Sequence, residues 1–445
     1  MSLRVYNTLS RKKEAFTPVN PPQVNMYVCG ITPYDETHLG HARAYTTFDI
    51  IYRYLEYKGF KVNYIQNVTD IDDKIINRAR ETGSSPQELA KKFTARYFAM
   101  MHELNVIVLP ARHYPHATAH IPDMVKVIAD LIKKDHAYAA GGDVYFSVRN
   151  ARDYGKLSRQ KIDDMESGAR VAPGEHKKDP LDFTLWKAAK EGEPAWDSPW
   201  GKGRPGWHTE CSTMSTKYFG QPIDIHGGGM DLIFPHHENE IAQAEAVSHK
   251  PFVKYWVHNG FVTINREKMS KSLGNFFTIS DVLKKYSGDV IRFFLLSTHY
   301  RSPIDFSDAQ LAEAKRSQER IHIALHLLEE RAGLKADAKA NVIADIKKFK
   351  DEFIAALDDD FNTAEAIAVL FNLVSYANKG EVGGSAAVKL RELILELGGL
   401  LGLTFTRSSD IPLDIQELLN KYQAARTAKD FALADKIRDE ELKNL

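Results

Sequence analysis

Residues 26–41 read Met-Tyr-Val-Cys-Gly-Ile-Thr-Pro-Tyr-Asp-Glu-Thr-His-Leu-Gly-His, and this stretch decides how the first part of the chain folds. The apolar start, Met26 to Cys29, predicts a short strand that ends where Gly30 and Pro33 interrupt it. Beyond His41 the apolar residues recur at helical spacing, which predicts a helix. A strand, a sharp loop and a helix N-terminus in this order form an anion site in α/β sheets, because the first N–H groups of the helix and its dipole both favour negative charge.

Two histidines mark the start of that helix. His38 and His41 add hydrogen-bond donors where an anion would bind, and Gly40 between them allows a flat ligand to approach the backbone closely. Phosphate binding is therefore one interpretation. A polar loop with two incidental histidines is the other.

A second strand follows the helix, which sets the class of the fold. Residues 62–67 are rich in β-formers, and the acidic stretch after Asn67 is typical of a helix N-cap. A strand, a helix and a strand within about 45 residues form a βαβ unit. We therefore expect an α/β fold with a doubly wound parallel sheet whose ligands bind at the carboxyl ends of the strands.

Composition shifts divide the chain into five parts. The sheet domain is expected in two halves, residues 1–112 and 204–262, separated by an insertion at 113–203 that is rich in loops and contains a β-hairpin near Gly141-Gly142. A separate small domain is the alternative for that insertion. Residues 263–306 contain a short cationic loop, and long 3.6-residue periodicity predicts an all-α helical bundle at 307–445.

Overall composition narrows the class of protein. The 445 residues contain 59 Lys+Arg and 59 Asp+Glu, so the net charge favours neither nucleic acid nor acidic ligands. The two cysteines are too few for a disulfide scaffold and fit a reduced compartment. We see no secretory signal and no apolar run of the ~20 residues that a membrane helix needs. The sequence therefore predicts a cytoplasmic protein with no membrane association.

Four residues spread along the chain are suited to bind zinc. A cysteine closes the first strand, another opens a helix, and a histidine and a glutamate lie four residues apart on one predicted helix face. These are Cys29, Cys211, His236 and Glu240. His226 and His237 could compete as ligands, and the cysteines could instead be small buried hydrophobes.

Two further stretches suit a nucleotide. Lys268 and Lys271 flank hydroxyl residues in a loop that could close over a polyphosphate, although most Lys-Ser runs are solvated surface loops. Gly229 and Asp231 follow a predicted strand and suit a ribose, because the glycine admits the sugar and the carboxylate accepts hydrogen bonds from its hydroxyls.

Together these motifs resemble the cysteinyl-tRNA synthetases, a family of class I aminoacyl-tRNA synthetases. His38-Leu-Gly-His41 is similar to the HIGH signature of that class, and Lys268-Met-Ser-Lys-Ser272 matches its KMSKS signature. The resemblance extends from one end of the chain to the other. Further matching stretches are residues 27–30, 67–74, 207–211, 224–229, 234–240, 358–363 and 429–438.

The resemblance implies a Rossmann-like catalytic domain and a role for each matching position. Cys29, Cys211, His236 and Glu240 would hold one zinc ion that binds the substrate sulfur. The remaining positions would contact substrates: Gly30, Thr69 and Trp207 line the cysteine pocket, His38, Gly40, His41, Lys268 and Lys271 attend the ATP phosphates, and Gly229 and Asp231 lie near the ribose. Magnesium would accompany ATP, and the helical region 307–445 would bind the tRNA and its anticodon.

The expected activity is the activation of L-cysteine by ATP and its transfer to the 3′ end of tRNA-Cys, by an enzyme expected to be a monomer. Two departures keep alternatives open. Ile31 stands where the family usually has proline, a variant shared with the related mycothiol-pathway cysteine ligase, whose acceptor is an amino sugar. The chain also ends at Leu445, short of the usual extension. A catalytically inactive synthetase-like RNA-binding protein is the third possibility.

Overall fold

The computed structural model describes residues 2–162, 176–264, 267–268, 277–333, 340–378, 382–405, 421, 424–425, 428 and 430–437. These form two compact units. The first unit comprises Ser2–His102 and Ile107–Phe261, and the second comprises Glu103–Val106 and the described part of Val262–Leu445. Within the described residues, no helix is long and apolar enough to cross a membrane.

The strands of the described residues fall into four small sheets. In chain order they are β1 (Arg4–Asn7), β2 (Lys12–Ala15), β3 (Gln23–Ile31), β4 (Lys61–Val68), β5 (Ala137–Ala140), β6 (Asp143–Phe146), β7 (Phe183–Ala188), β8 (Gly203–Pro205), β9 (Ile223–Gly229), β10 (Val253–Asn259), β11 (Val262–Ile264), β12 (Glu267–Lys268) and β13 (Ile304–Asp305).

The helices of the first unit are α1 (Leu39–Tyr57), α2 (Asp73–Thr82), α3 (Pro86–Glu103, whose last residue belongs to the second unit), α4 (Ile121–Lys133), α5 (Trp207–Phe219) and α6 (Glu238–Ser248). Those of the second unit are α7 (Ile279–Leu283), α8 (Gly288–Leu296), α9 (Asp308–Ala332), α10 (Ala340–Asp358), α11 (Thr363–Asn378), α12 (Ser385–Leu400) and α13 (Phe431–Lys436).

A parallel sheet organises the first unit. Its order is β10-β9-β3-β4, and every neighbouring pair is parallel. Strand β3 is central and largely buried, as its apolar sequence requires. Helix α1 connects it to β4, so the βαβ unit and the parallel sheet predicted from the sequence are confirmed. The carboxyl ends of the four strands consequently lie along one edge.

A second, antiparallel sheet lies in the same unit, with the order β5-β6-β7-β8. The predicted hairpin is present: β5 pairs with β6, and Gly141 and Gly142 both have positive φ in the turn between them. Strand β7 lies within the stretch that we expected to be rich in loops. The alternating burial of Phe183 and Leu185 on one face explains the strand. The insertion boundaries 113–203 stay a prediction.

The second unit is mostly helical, as its periodicity predicted. Helices α9 to α12 pack against one another around leucine-rich faces, and α8 packs against α9. The buried guanidinium of Arg292 in α8 donates hydrogen bonds to the carbonyl oxygens of Leu401 (2.6 Å), Leu104 (3.1 Å) and Asn105 (3.1 Å). These bonds explain why the short segment 103–106 belongs with the helical unit. The remaining boundaries, at 263, 307 and 445, stay predictions.

Strand β9 runs further than the sequence suggested. We expected Gly229 to follow a strand, but Gly227 to Gly229 continue the strand and pair with β10. A Cβ on Gly227 would lie 2.2 Å from the Phe48 ring of α1, so this strand position needs glycine because the helix packs directly onto it.

Candidate active site and metal centre

The predicted site residues of the first unit gather at the carboxyl edge of the parallel sheet. Cys29 and Gly30 lie at the end of β3, Thr69 directly follows β4, and Gly229 ends β9. Helix α5 brings in Cys211, which is buried. The edge therefore collects residues that are far apart in sequence, as a parallel sheet allows.

Four side chains at this edge form a compact group of metal-ligand type. One donor atom from each of Cys29, Cys211, His236 and Glu240 lies within 4.8 Å of all the others, and all four residues are buried. The two sulfur atoms are 3.6 Å apart, close to the ~3.8 Å between sulfurs bound to one tetrahedral zinc at about 2.3 Å. The His236 Nε2 atom lies 3.0 Å from Glu240 Oε1.

The chemistry of this group fits a bound cation. His236 Nε2 and Glu240 Oε2 are buried and make no hydrogen bond, which is costly for polar atoms unless another ligand satisfies them. Burial raises the pKa of the Glu240 carboxyl and of the Cys29 thiol well above their ordinary values. A cation would supply the missing partner and favour the deprotonated forms of both groups.

A second group of donors overlaps the first. Cys29 and Glu240 also lie within 4.8 Å of the donor atoms of His226 and His237, the two histidines that the sequence left as competing ligands. His237 Nε2 is 3.2 Å from the Cys29 sulfur. His226 Nε2 is 3.5 Å from the same sulfur and 3.3 Å from Glu240 Oε2. Cys29 and Glu240 are common to both arrangements.

His236 comes from an irregular turn and not from the regular helix that we expected. The turn Ile233–His237 contains non-helical backbone at Phe234, and α6 begins only at Glu238. His236 nevertheless lies one turn before Glu240, so the spacing argument holds in spite of the irregularity. The Trp207 indole stacks on the His236 ring with centroids 4.1 Å apart, and His208 Nδ1 lies 2.9 Å from His236 Nδ1.

Next to the cysteines, Asn67 connects the ends of β3 and β4. Its Oδ1 accepts a hydrogen bond from the Gly30 N–H at 2.8 Å and lies 3.5 Å from the Cys211 sulfur. Its Nδ2 donates to Thr69 Oγ1 at 3.2 Å, and the Thr69 hydroxyl donates to Glu210 at 2.6 Å. Gly30 and Thr69, both assigned to the amino-acid pocket by resemblance, are thus held in one network beside the metal-ligand group.

His38 and His41 cap the start of α1. The Gly40 N–H donates to His38 Nδ1 at 3.1 Å, and the His38 N–H donates to His41 Nδ1 at 3.3 Å. The two rings stack with centroids 3.8 Å apart. Because each Nδ1 accepts a hydrogen bond, a neutral ring carries its proton on Nε2, which makes both histidines donors at that atom.

The structure describes some, but not all, of the other residues predicted to bind the nucleotide. Asp231 is exposed in a turn directly after β9, and a Cβ on Gly229 would lie 2.4 Å from its Oδ1. The backbone of Lys268 ends β12, which pairs with β11, so the cationic stretch begins on a strand. Lys271 lies outside the described residues, as do the other residues of 269–276.

Comparison with known proteins places the chain in a family. Residues 15–316 match the family model for the class I (C) tRNA synthetase catalytic domain, and residues 352–406 match the DALR domain. A cysteine–tRNA ligase of Maridesulfovibrio salexigens is 51% identical, with 98% of this chain and 96% of the relative aligned. One of Geobacter metallireducens is also 51% identical, with 99% and 96% aligned. The chain belongs to the cysteine–tRNA ligase family.

Solved structures of other synthetases share the fold. The LeuRS–tRNA–LeuAMS ternary complex of Agrobacterium radiobacter aligns with a TM-score of 0.63 at 12% identity, covering 88% of this chain and 87% of that one. Mycobacterium tuberculosis methionyl-tRNA synthetase with methionyl-adenylate aligns with a TM-score of 0.58 at 14% identity, covering 93% and 96%. The Rossmann-like catalytic domain and the helical C-terminal domain expected from the sequence are confirmed for this cysteine–tRNA ligase family member.

Sequence reasoning gave no role to several residues that complete the site. Asn67, His208 and Glu210 stood in motifs that we quoted, and His258 in β10 was not singled out at all. Glu210 is fully buried, and burial raises the pKa of its carboxyl well above the ordinary value. Its place directly before Cys211, at the start of the helix, was the one available signal.

Gly30→Ala is expected to destabilise the first unit and to abolish cysteine activation. The added Cβ would lie 1.5 Å from the backbone oxygen of Asn67, so β3 or β4 must shift. Overpacking of this kind costs about 1–3 kcal/mol. Thermal denaturation and cysteine-dependent ATP–pyrophosphate exchange measure the two effects. Gly399→Ala is the matched control, because its new methyl group would meet no atom within 4 Å. If Gly30→Ala catalysed exchange at the wild-type rate, the close approach of β3 and β4 would be contradicted.

Proposed function

We propose that this chain joins L-cysteine to ATP, forming cysteinyl-adenylate and pyrophosphate, and then transfers the cysteinyl group to the 3′ end of tRNA-Cys. The observation that carries the proposal is the buried group Cys29, Cys211, His236 and Glu240 at the carboxyl edge of the sheet, in a chain of the cysteine–tRNA ligase family. A cation held by two sulfurs, an imidazole and a carboxylate would suit a substrate amino acid with a thiol, because it could bind the thiolate.

Zinc is the cation that we propose for these four residues. It is borderline-soft and prefers nitrogen and sulfur ligands in tetrahedral arrangement. When bound, zinc would take the substrate sulfur as a thiolate and thereby fix the side chain of cysteine. Four protein ligands usually indicate a structural site, and the carboxylate of Glu240 is the ligand best able to loosen and admit a fifth.

The amino-acid backbone is proposed to bind beside the metal-ligand group. The Thr69 hydroxyl donates a hydrogen bond to Glu210 and accepts one from Asn67, so one lone pair of its oxygen is left to accept from the substrate ammonium group. Trp207 is 39% exposed although it stacks on His236, and its indole can cover the substrate side chain. Gly30 leaves room next to the sulfur because it has no side chain.

ATP is proposed to bind at the start of α1. His38 and His41 would donate from Nε2 to the phosphates, and the N-terminus of α1 adds backbone N–H groups and its dipole. Gly40 would allow close approach of the nucleotide, and Gly229 and Asp231 would contact the ribose. Lys268 and Lys271 would neutralise charge on the departing pyrophosphate, and Mg²⁺ would accompany ATP.

The helical region 307–445 is proposed to contact tRNA and its anticodon. It includes the part that matches the DALR domain. A monomer in the cytoplasm without membrane association remains our expectation. Of the two alternatives from the sequence, neither the amino-sugar ligase nor an inactive RNA-binding protein is supported by the relatives, which carry the name cysteine–tRNA ligase.

One set of assays tests the proposal. The chain should catalyse cysteine-dependent ATP–pyrophosphate exchange and should charge tRNA-Cys but not an amino sugar. Absence of exchange would favour the inactive RNA-binding protein. Exchange followed by transfer to the amino sugar, and not to tRNA, would overturn the acceptor.

A further inference from the structure

Two buried histidines and the half-buried Thr8 form a hydrogen-bonded row that starts at Cys29. His237 Nε2 lies 3.2 Å from the Cys29 sulfur, and His237 Nδ1 lies 2.7 Å from His258 Nε2. His258 Nδ1 in turn lies 2.8 Å from the hydroxyl oxygen of Thr8. The row therefore runs from the metal-ligand group, across the end of β10, to the loop after β1. Nothing in the proposed activity uses it.

The chemistry of Cys29 fixes the direction of every hydrogen bond in this row. A cysteine that binds a metal is a thiolate, which can only accept, so His237 must donate from Nε2. The neutral ring then has an acceptor at Nδ1, and His258 must donate to it from its own Nε2. His258 Nδ1 is therefore an acceptor as well, and the Thr8 hydroxyl donates to it. With both rings neutral, one arrangement of protons satisfies all three contacts.

Burial and packing hold both imidazoles in place. His237 is fully buried and His258 almost so. The Trp256 ring packs against both, with centroids 5.1 Å from His237 and 6.2 Å from His258. Thr8 is held in turn by its N–H, which donates to the Trp256 carbonyl at 2.9 Å.

We propose that His237 is a positioning residue of the metal centre: it donates a hydrogen bond to the Cys29 sulfur, and His258 and Thr8 hold it in the tautomer that can do so. This inference rests on the proposed zinc function. A hydrogen bond to a thiolate withdraws electron density from the sulfur, so the cation stays a stronger acceptor. The cation is then better able to take the thiolate of the substrate as an additional ligand.

The contacts of the two Nε2 atoms distinguish the roles of the adjacent residues His236 and His237. His236 Nε2 makes no hydrogen bond and lies 3.0 Å from Glu240, as expected of an atom that would bind the cation. His237 Nε2 already has a partner in Cys29 and lies 3.9 Å from the nearer Glu240 oxygen. His237 therefore supports the ligand set, whereas His236 belongs to it.

Cobalt(II) in place of zinc provides a direct probe, because its sulfur-to-metal charge-transfer band reports the electron density on the thiolates. Four full-length variants are compared with the wild type for cobalt stoichiometry, band position and zinc affinity against a chromophoric chelator. His237→Phe removes the donor, and His237→Gln offers an amide N–H in its place. Thr8→Val removes the hydroxyl at the far end of the row, and Thr8→Ser keeps it.

We expect His237→Phe to bind one cobalt per chain with the band moved to longer wavelength and zinc affinity lowered about 10–100-fold, the usual loss when a supporting partner of a ligand is removed. His237→Gln should recover part of both changes. Thr8→Val should move the band in the same direction by less, and Thr8→Ser should match the wild type. Since Thr8 lies outside the ligand set, this pair remains informative if His237→Phe fails to fold.

The proposal is overturned if the band of His237→Phe or of Thr8→Val stays at the wild-type position. It is also overturned if folded His237→Phe binds no cobalt, because His237 would then be a ligand. These failures differ from failure of the proposed function, in which the wild-type chain itself would bind no cobalt or its band would ignore added cysteine.

Discussion

Cys211→Ser and His236→Ala are expected to lose most of the bound zinc and, with it, cysteine activation. Each substitution removes one of four buried donor atoms that lie within 4.8 Å of one another. Removing a partner behind a ligand costs 10–100-fold in affinity or activity, so removing the ligand should cost more than about 100-fold. Metal analysis of the purified protein and cysteine-dependent ATP–pyrophosphate exchange measure the two losses.

ATP binding separates this prediction from simple misfolding. The proposed nucleotide residues at the start of α1 do not include the four ligands, so both variants should bind ATP with nearly the affinity of the wild type. Ser212→Ala is the matched control on the same helix, because its hydroxyl only donates to the helix carbonyls of His208 and Thr209 among the described contacts. It should keep zinc and activity. A metal-free Cys211→Ser that still activates cysteine at the wild-type rate would refute the role of the cluster.

Lys271→Ala is expected to lower kcat for adenylate formation about 10²–10³-fold, or about 2.7–4 kcal/mol, with little change in KM for cysteine. The lysine is proposed to meet charge that develops on the departing pyrophosphate, so its loss affects the transition state more than the bound substrate. Steady-state exchange kinetics at varied cysteine and ATP measure both constants.

Lys284→Ala is the control for this variant. Its side chain is exposed and forms an ion pair with Asp281 at 2.7 Å, so removing it takes away a positive charge without touching the proposed site. Its kinetics should equal those of the wild type. If Lys271→Ala behaves in the same way, the Lys268–Ser272 stretch is a solvated surface loop, the other interpretation that the sequence allowed.

The ligand group could be predicted from the sequence because each member carried a local signal. Cys29 ends an apolar run that predicts a strand, and His236 and Glu240 are four residues apart. Both patterns can be recognised without knowing the order of the strands in the sheet. The parallel sheet then brings such positions to one edge. The irregular backbone at Phe234 does not affect this spacing, because it lies before His236 and the two side chains are still one helical turn apart.

Other parts of the site depend on which strands are neighbours, and no local pattern contains that information. His258 meets His237 only because β10 pairs with β9, and Asn67 meets Gly30 only because β4 pairs with β3. The sequence could not decide whether His236 or His237 is the ligand, because both lie in the same turn and both approach Glu240. The interatomic distances were needed to separate them. The packing of Gly227 under the Phe48 ring, which explains why the strand continues there, could not be foreseen either.

The central claim is that the cation in this group separates cysteine from serine. The two amino acids differ by sulfur for oxygen, too small a difference for a pocket to reject by size. A borderline-soft cation binds a thiolate strongly and a neutral alcohol poorly, because the serine hydroxyl keeps its proton at neutral pH. Selection at the cation would make a second, hydrolytic site unnecessary.

Titration of the cobalt-substituted protein with each amino acid tests this claim most directly. Cysteine should change the intensity and position of the sulfur-to-metal band, because an additional thiolate joins the cation, and serine at the same concentration should leave the band unchanged. A band that ignores cysteine, or that responds equally to serine, would contradict the account, because discrimination would then lie outside the metal centre.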